Sequence, residues 1–400
     1  MTTTGPDERF LVGLDLGTQS VRALLADLNG RTLACASRPT PTLHPAPGQG
    51  EYEPEGLWQC VLAVLREVAA SVPEGGRVAG IACASIGESC VLIDAAGAPL
   101  ANAITWFDRR TEPVGAALFQ RVGAERLFRI TGAPPDPTFT VCKLLWYRQV
   151  MPDTFARARR VLNIAQWIAF RLSGEVAADL ALASRTMLLD VHARQWSAEM
   201  LELAGLDVAL LPPLRPSGTV LGPVRAEVLA ETGLPGRPVV GVGGHDHVCG
   251  GFAAGAARAG VLLDSLGTAE ALFQTVGGAL LTEQAASQGF FQGAIGLAQP
   301  LYYVGAGINS CGGSIEWARG LVGGGIERER LIAEAAAVAP GSDGTCFLPH
   351  LAYSPPPHRD LAARGAFVGL TTGTGRAALF RSVLEGVALE ARLVVDAIAA

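Results

Sequence analysis

An apolar run from Phe10 to Leu14 predicts a first strand that ends at Asp15 and turns through Gly17. A second strand, Val21 to Asp27, follows, and Asn29-Gly30 is a strong hairpin signal before a third, Arg31 to Ala36. The stretch from Pro39 to Pro54 is rich in Pro and Gly and reads as a loop. Leu57 to Ala70 carries apolar residues at helical spacing, and Val78 to Ala84 and Val91 to Asp94 read as strands around a polar loop. Helices are predicted over Val141 to Val150 and Ile164 to Leu172, the latter closed by Gly174.

The second half restarts the pattern. Pro238 to Val242 is an apolar strand with Gly243-Gly244-His245-Asp246 at its C-terminal end, followed by a predicted helix, Val248 to Ala256. Val261 to Asp264 is another strand, running into the turn Ser265-Leu266-Gly267-Thr268. LDLGTQS and LDSLGTAE share a strand, an Asp and a Gly-Thr pair, as if one unit were used twice with a boundary near residue 252. The expected fold is α/β with two domains, 8–251 and 252–400, around a cleft.

Composition acts mainly by exclusion. Four hundred residues exceed what one core usually serves, and 49% hydrophobic with 17% charged residues describes a compact globular chain. A net charge of −6 argues against a nucleic-acid partner, which needs a basic footprint, though an anionic ligand held by a local loop and Mg²⁺ fits. The eight cysteines form no C-x-x-C pair, so single thiols in a reducing compartment are expected. The N-terminus lacks a basic-then-apolar leader and no apolar run reaches spanning length, so a cytoplasmic protein with no membrane partner is expected.

Four features carry chemistry. Asp15 stands at a strand end suited to Mg²⁺, Gly17 allows a tight turn, and the Thr18 and Ser20 hydroxyls with Arg22 could meet phosphate oxygens; an ordinary hairpin turn is the alternative. Gly267 and Thr268 repeat that shape, and two such loops could hold a triphosphate from two sides. Asp246, in a Gly-Gly-His-Asp-His turn, could accept a proton from an attacking hydroxyl; it could equally cap the following helix, or join His245 and His247 in a zinc site that lacks a third ligand. Trp106 offers an aromatic face to a sugar, Asp108 and Arg110 offer hydroxyl partners or a mutual ion pair, and Glu88 is a second hydroxyl-binding candidate.

Together these residues resemble the FGGY carbohydrate kinases. GLDLGTQSVRALLAD is similar to that family's first phosphate loop, ITWFDRRT to its W-x-D-x-R element, FTVCKLLWYRQ to its K-x-x-W helix, and RLSGEVAADLALASRTMLLD to its L-T-G-E…D…A-S stretch. GGHDHVCG matches the turn bearing the catalytic Asp, DSLGTAE the second phosphate loop, and FLPHLAYSPPPHRDLAARGAFVGL a further family element. The resemblance implies two ribonuclease H-like domains of the actin and sugar kinase superfamily around a nucleotide cleft. It implies an ATP- and Mg²⁺-dependent kinase acting on a small sugar or polyol, with Asp246 as base and Asp15 near the metal. Thr18, Gln19, Ser20, Gly267, Thr268 and Gly312 fall on nucleotide positions, and Glu88, Trp106 and His247 on sugar positions.

Departures refine the expectation. Glycerol kinases carry Arg-Glu where this chain has Gly87-Glu88 and Tyr where it has Thr138, so glycerol is disfavoured. Xylulokinases carry Met-His at residues 87–88 and Gln at the His247 position, so xylulose is not secured either. The family continues past the helix that here ends at Ala400 into an adenosine-holding segment, so a fragment, or a chain without that wall, is expected. A non-catalytic sugar- or nucleotide-sensing protein is the alternative function, and homodimerisation is left open.

Overall fold

The structure is a computed structural model that describes residues 8–296, 300–308 and 311–399. It divides into two compact units, one running to Phe252 and including Gly293–Leu301, the other comprising Ala253–Gln292 and Tyr302–Ala400. Nothing in the sequence pattern marks the return of Gly293–Leu301 to the first unit.

The first unit is organised on a six-stranded sheet. Its strands are β1 (Arg9–Leu16), β2 (Ser20–Asp27), β3 (Thr32–Pro39), β4 (Arg77–Ser85), β5 (Val220–Pro223) and β6 (Val239–His245), in the order β5-β6-β4-β1-β2-β3. Strand β1 buries Phe10, Val12, Leu14 and Leu16 on one face, the period of two that a half-covered strand requires. Helices α1 (Pro54–Ala69) and α2 (Ile164–Ser173) add Leu57, Trp58, Val61, Trp167 and Ile168 to the same core. Proline in the first turn starts α1; an Asn163–Gln166 capping box starts α2, and left-handed Gly174 ends it.

Register does the positioning. β1 and β6 both run parallel to β4, with Asp15 opposite Ala84, Leu16 opposite Ser85, and His245 opposite Ser85 from the other side. Three neighbouring strands therefore end at one level, and whatever follows each of them gathers at one edge, the usual ligand position on an α/β sheet. Antiparallel β2 sets Arg22 across from Asp15.

The second unit has a four-stranded sheet of β7 (Leu262–Leu266), β8 (Glu270–Val276), β9 (Phe291–Ala294) and β10 (Tyr302–Ile308), ordered β7-β8-β10-β9. Leu272, Ala306, Ile308 and Val394 pack one of its cores, Val394 coming from the 24-residue helix Arg376–Ala399. Among the described residues, no helix is long and apolar enough to cross a membrane.

Three expectations need correction. The stretch from Pro39 to Pro54 is not all loop: Thr42–Leu43 and Glu51–Tyr52 are short strands, and the latter pairs with Ala103–Ile104. The strand expected to end at Asp264 continues to Leu266, so the turn is Gly267-Thr268-Ala269. The helix expected from Val248 begins at Asp246 and ends at Ala253.

Candidate active site

The edge formed by β1, β4 and β6 collects most of the predicted side chains of the first unit. Asp15 is the penultimate residue of β1, and the β1–β2 hairpin loop carries Thr18 and Gln19 to Ser20 at the start of β2. That loop is fastened: Gly17 N donates to Ser20 O (3.0 Å), Thr40 Oγ1 to Gly17 O (2.7 Å) and Thr40 N to Gln19 O (3.0 Å). Burial raises the pKa of Asp15, while Arg22 and His247 pull it down. The Asp15 side chain forms no hydrogen bond or ion pair among the described residues, which leaves its half-buried carboxylate open to a ligand.

Asp246 follows β6 and opens the helix Asp246–Ala253. Its side chain is 26% exposed, and Oδ1 accepts from the N–H of the very next residue, His247, at 2.6 Å. A helix cap would accept from the second or third helical N–H, so capping does not account for this residue. Burial pushes its pKa up to about 6; His247 opposes the rise, and Glu88 and Asp15 reinforce it. His245, whose Nε2 lies 3.4 Å from Asp246 Oδ1, is held neutral: burial drives its pKa well below the ordinary value, helped by Arg185 and His247. The exposed His247 ring lies beside it, centroid to centroid 5.5 Å.

Glu88 sits in the turn after β4, 5% exposed and with φ of +63°, a left-handed conformation that costs a non-glycine residue about 1–3 kcal/mol. Its carboxylate is ion-paired with Arg185. Lys143, fully buried, donates to Thr138 O at 2.5 Å; burial lowers its pKa, and the nearby Glu88 limits the fall. Trp106 is 40% exposed, and its Nε1 donates to Thr18 Oγ1 at 2.9 Å, joining a sugar candidate to a phosphate candidate.

Asp108 requires a correction. Its side chain has no exposed area, Oδ2 accepts from Gly50 N (2.7 Å), Oδ1 from Arg110 N (2.8 Å), and both face the Arg110 guanidinium, which also reaches Glu51. Of the two alternatives, the structure shows the ion pair, and no oxygen is left for a substrate hydroxyl. Asp108→Asn is expected to destabilise the fold by about 3 kcal/mol, the low end for a broken buried pair because Glu51 still meets Arg110. Urea unfolding measures this, and sugar KM at saturating ATP should change less than threefold.

Gly267, Thr268 and Gly312 lie in the second unit. The Gly267-Thr268-Ala269 turn joins β7 to β8 as Gly17 to Gln19 joins β1 to β2. Gly312 N donates to Gly267 O (3.1 Å) and Gly313 N to Thr268 O (2.9 Å), so the start of the helix Gly312–Val322 is laced to the turn. A Cβ on Gly312 would lie 2.5 Å from Gly267 O, which explains the glycine. Glu270 beneath the turn is 1% exposed, its oxygens unpartnered among the described residues. Burial pushes its pKa up to about 7 despite the Cys311 thiol, and the Asp264 carboxylate adds to the rise.

Sequence reasoning did not single out Arg185, Lys143 or Glu270. Each lies within a quoted motif (A-S-R-T, K-x-x-W and G-T-A-E), so the signal was present as a charged residue inside an otherwise apolar or small-residue stretch.

Among known proteins, the family model for the FGGY carbohydrate kinase N-terminal domain matches residues 10–253, and that for the C-terminal domain matches residues 265–400. A glycerol kinase from Gloeobacter violaceus is 36% identical over 98% of this chain and 77% of its own length. A xylulose kinase from Bacillus subtilis is 28% identical over 95% of this chain and 75% of its own. The crystal structure of a xylulose kinase from Rhodospirillum rubrum superposes with a TM-score of 0.91 at 30% identity, covering 98% of this chain and 79% of that one. Relatives named as kinases do not favour the non-catalytic alternative, and the two-domain α/β fold is that of the sugar kinases. Matched by both domain models in order along nearly its whole length, the chain belongs to the FGGY family of carbohydrate kinases.

Proposed function

We propose that this carbohydrate kinase transfers the γ-phosphoryl group of ATP to a hydroxyl of a ketose or polyol larger than glycerol, bound at the β1–β4–β6 edge, with Asp246 as general base. The observation that carries the proposal is a partly buried carboxylate, its pKa pushed up to about 6, immediately after a central parallel strand. A base of that strength is ionised at neutral pH yet still accepts a proton well.

Asp246 takes the proton from the attacking hydroxyl as its oxygen approaches the γ-phosphorus in line with the departing ADP. Trp106 presents its ring to the carbon face of the sugar, and Glu88 and His247 accept or donate hydrogen bonds to other hydroxyls. Thr18, Gln19, Ser20 and Arg22 contact phosphate in the first unit; Gly267, Thr268 and Gly312 contact the nucleotide in the second. An unpartnered, half-buried Asp15 fits Mg²⁺, which typically takes one or two carboxylates and completes its shell with substrate phosphates and water. Bound there, the ion would neutralise charge on the triphosphate.

The preference for a substrate larger than glycerol rests on Thr138, a small side chain where glycerol kinases carry Tyr; the space beside Gly87 is taken by Arg185 and His245. ADP release should be measured with glycerol, xylitol, xylulose, ribulose, fuculose and gluconate at saturating Mg-ATP. A ketose or longer polyol is expected to exceed glycerol in kcat/KM by at least about 10-fold. Glycerol as the best substrate would overturn the size preference, and turnover of none would overturn the proposed substrate class.

A further inference from the structure

Glu88 is held in a conformation that its own chemistry disfavours, and the residues responsible converge on Arg185. Ser89 N donates to Gly87 O at 2.7 Å, closing a three-residue turn with left-handed Glu88 at its centre. Thr140 Oγ1 donates to Glu88 O at 2.9 Å, and Asn163 Nδ2 to Ser89 O at 3.2 Å, so the backbone of the turn is tied on both sides. A Cβ on Gly87 would lie 2.9 Å from His245 Cδ2 and 3.2 Å from Arg185 Cγ. Glycine there is what lets Arg185 and His245 cross the turn.

We propose that Arg185 is a positioning residue for sugar recognition: its guanidinium holds one carboxylate oxygen of Glu88 so that the other is presented to a substrate hydroxyl. Both Nε and Nη2 of Arg185 meet Oε1 of Glu88, and no hydrogen bond to Oε2 forms among the described residues. Arg185 is itself fixed. It follows the short helix Leu180–Ser184, whose first turn is capped by buried Asp179 through Ala181 N (2.7 Å) and Leu182 N (3.1 Å). Its guanidinium lies 4.8 Å from the centroid of the Phe139 ring, one residue before the helix that carries Thr140. A planar fork stacked on a ring can aim a carboxylate; a flexible ammonium at the same place would hold the charge without the direction. Lys143, buried nearby, adds positive potential beside the Glu88–Arg185 pair, while His245 is held neutral.

This inference rests on the proposal that Glu88 contacts the sugar, and the experiment separates the two. Steady-state kinetics on the full chain, with the panel sugar turned over best, would compare Glu88→Gln, Arg185→Met, Arg185→Lys and the double variant Glu88→Gln/Arg185→Met. Each single variant is expected to raise sugar KM about 10–100-fold, with ATP KM within about twofold of the parent. The double variant should be no worse than about threefold beyond the poorer single one, because both remove the same contact. If Glu88→Gln raises sugar KM and Arg185→Met does not, the positioning role is rejected while Glu88 keeps its contact. If neither does, both readings fall. Should Arg185→Met not fold, as judged by its melting curve, Arg185→Lys decides alone: sugar KM equal to that of the parent overturns the proposal.

Discussion

Asp246→Asn is expected to lower kcat by about 10²–10⁴-fold while leaving sugar KM within a few-fold, because the amide keeps the shape of the carboxylate and loses only its ability to accept the proton. The pH profile gives the same conclusion by another route. With the carboxyl pKa at about 6, the parent's kcat should fall tenfold per unit as pH drops below that value, and this acid limb should vanish from the residual activity of the variant. Stability should move the other way. The folded-state pKa of about 6 exceeds the ordinary 3.8, so the folded chain binds this proton more tightly than the unfolded chain does. Its stabilising contribution is complete below about 3.8 and is lost as pH rises through 6. Above that, ionising a partly buried group costs on the order of 2–3 kcal/mol, which the neutral amide does not incur. Asp246→Asn should therefore melt above the parent at pH 8 and level with it at pH 4. An inactive variant that is also less stable at pH 8 would mean that the carboxylate is structural and the base lies elsewhere.

That carboxylate was legible in the sequence because it follows an apolar strand directly and two glycines clear the space before it. The sheet was legible for similar reasons: strict alternation over β1, an Asn-Gly turn whose glycine has φ of +84°, and a helix-ending Gly174 at +87°. Elements that depend on partners were not. Thr42–Leu43 and Glu51–Tyr52 are two residues each, too short for any period, and exist because Ala103–Ile104 supplies the ladder. Arg185 meets Glu88 across 97 residues of chain, a pairing that no local pattern encodes. Asp108 shows the same limit from the other side. As a charged residue beside an aromatic it reads as a ligand contact, and only the burial of Gly50 N, Glu51 and Arg110 around it reveals a closed ion pair. Sequence tells which side chains have useful chemistry; burial decides which of them remain available to a ligand.

Gly243→Ala is expected to be the most damaging single substitution to the fold, removing at least about 4 kcal/mol or preventing soluble accumulation altogether. A Cβ at that position would lie 1.7 Å from the Cys83 carbonyl oxygen and 2.6 Å from its carbon. Both atoms are backbone in the middle of the sheet, so no rotamer change relieves the overlap. The register shift between Gly241 and Gly244 shows why the approach is so close: β6 bulges toward β4 there before resuming its pairing at Gly244 and His245. Forcing the strands apart breaks the last two pairs before Asp246 and moves the base relative to Glu88 and Asp15. A displacement of 1 Å in a reacting group can cost about 10²-fold in rate, so any folded fraction should also show depressed kcat. Gly241→Ala is the matched control, since its Cβ would meet only Ile81 O at 3.8 Å and Ala82 Cβ at 3.9 Å, ordinary contacts. It should unfold in urea within about 1 kcal/mol of the parent. Equal midpoints for the two variants would show that β6 does not need the bulge to place its carboxylate, and that the strand-end geometry assigned to Asp246 is wrong.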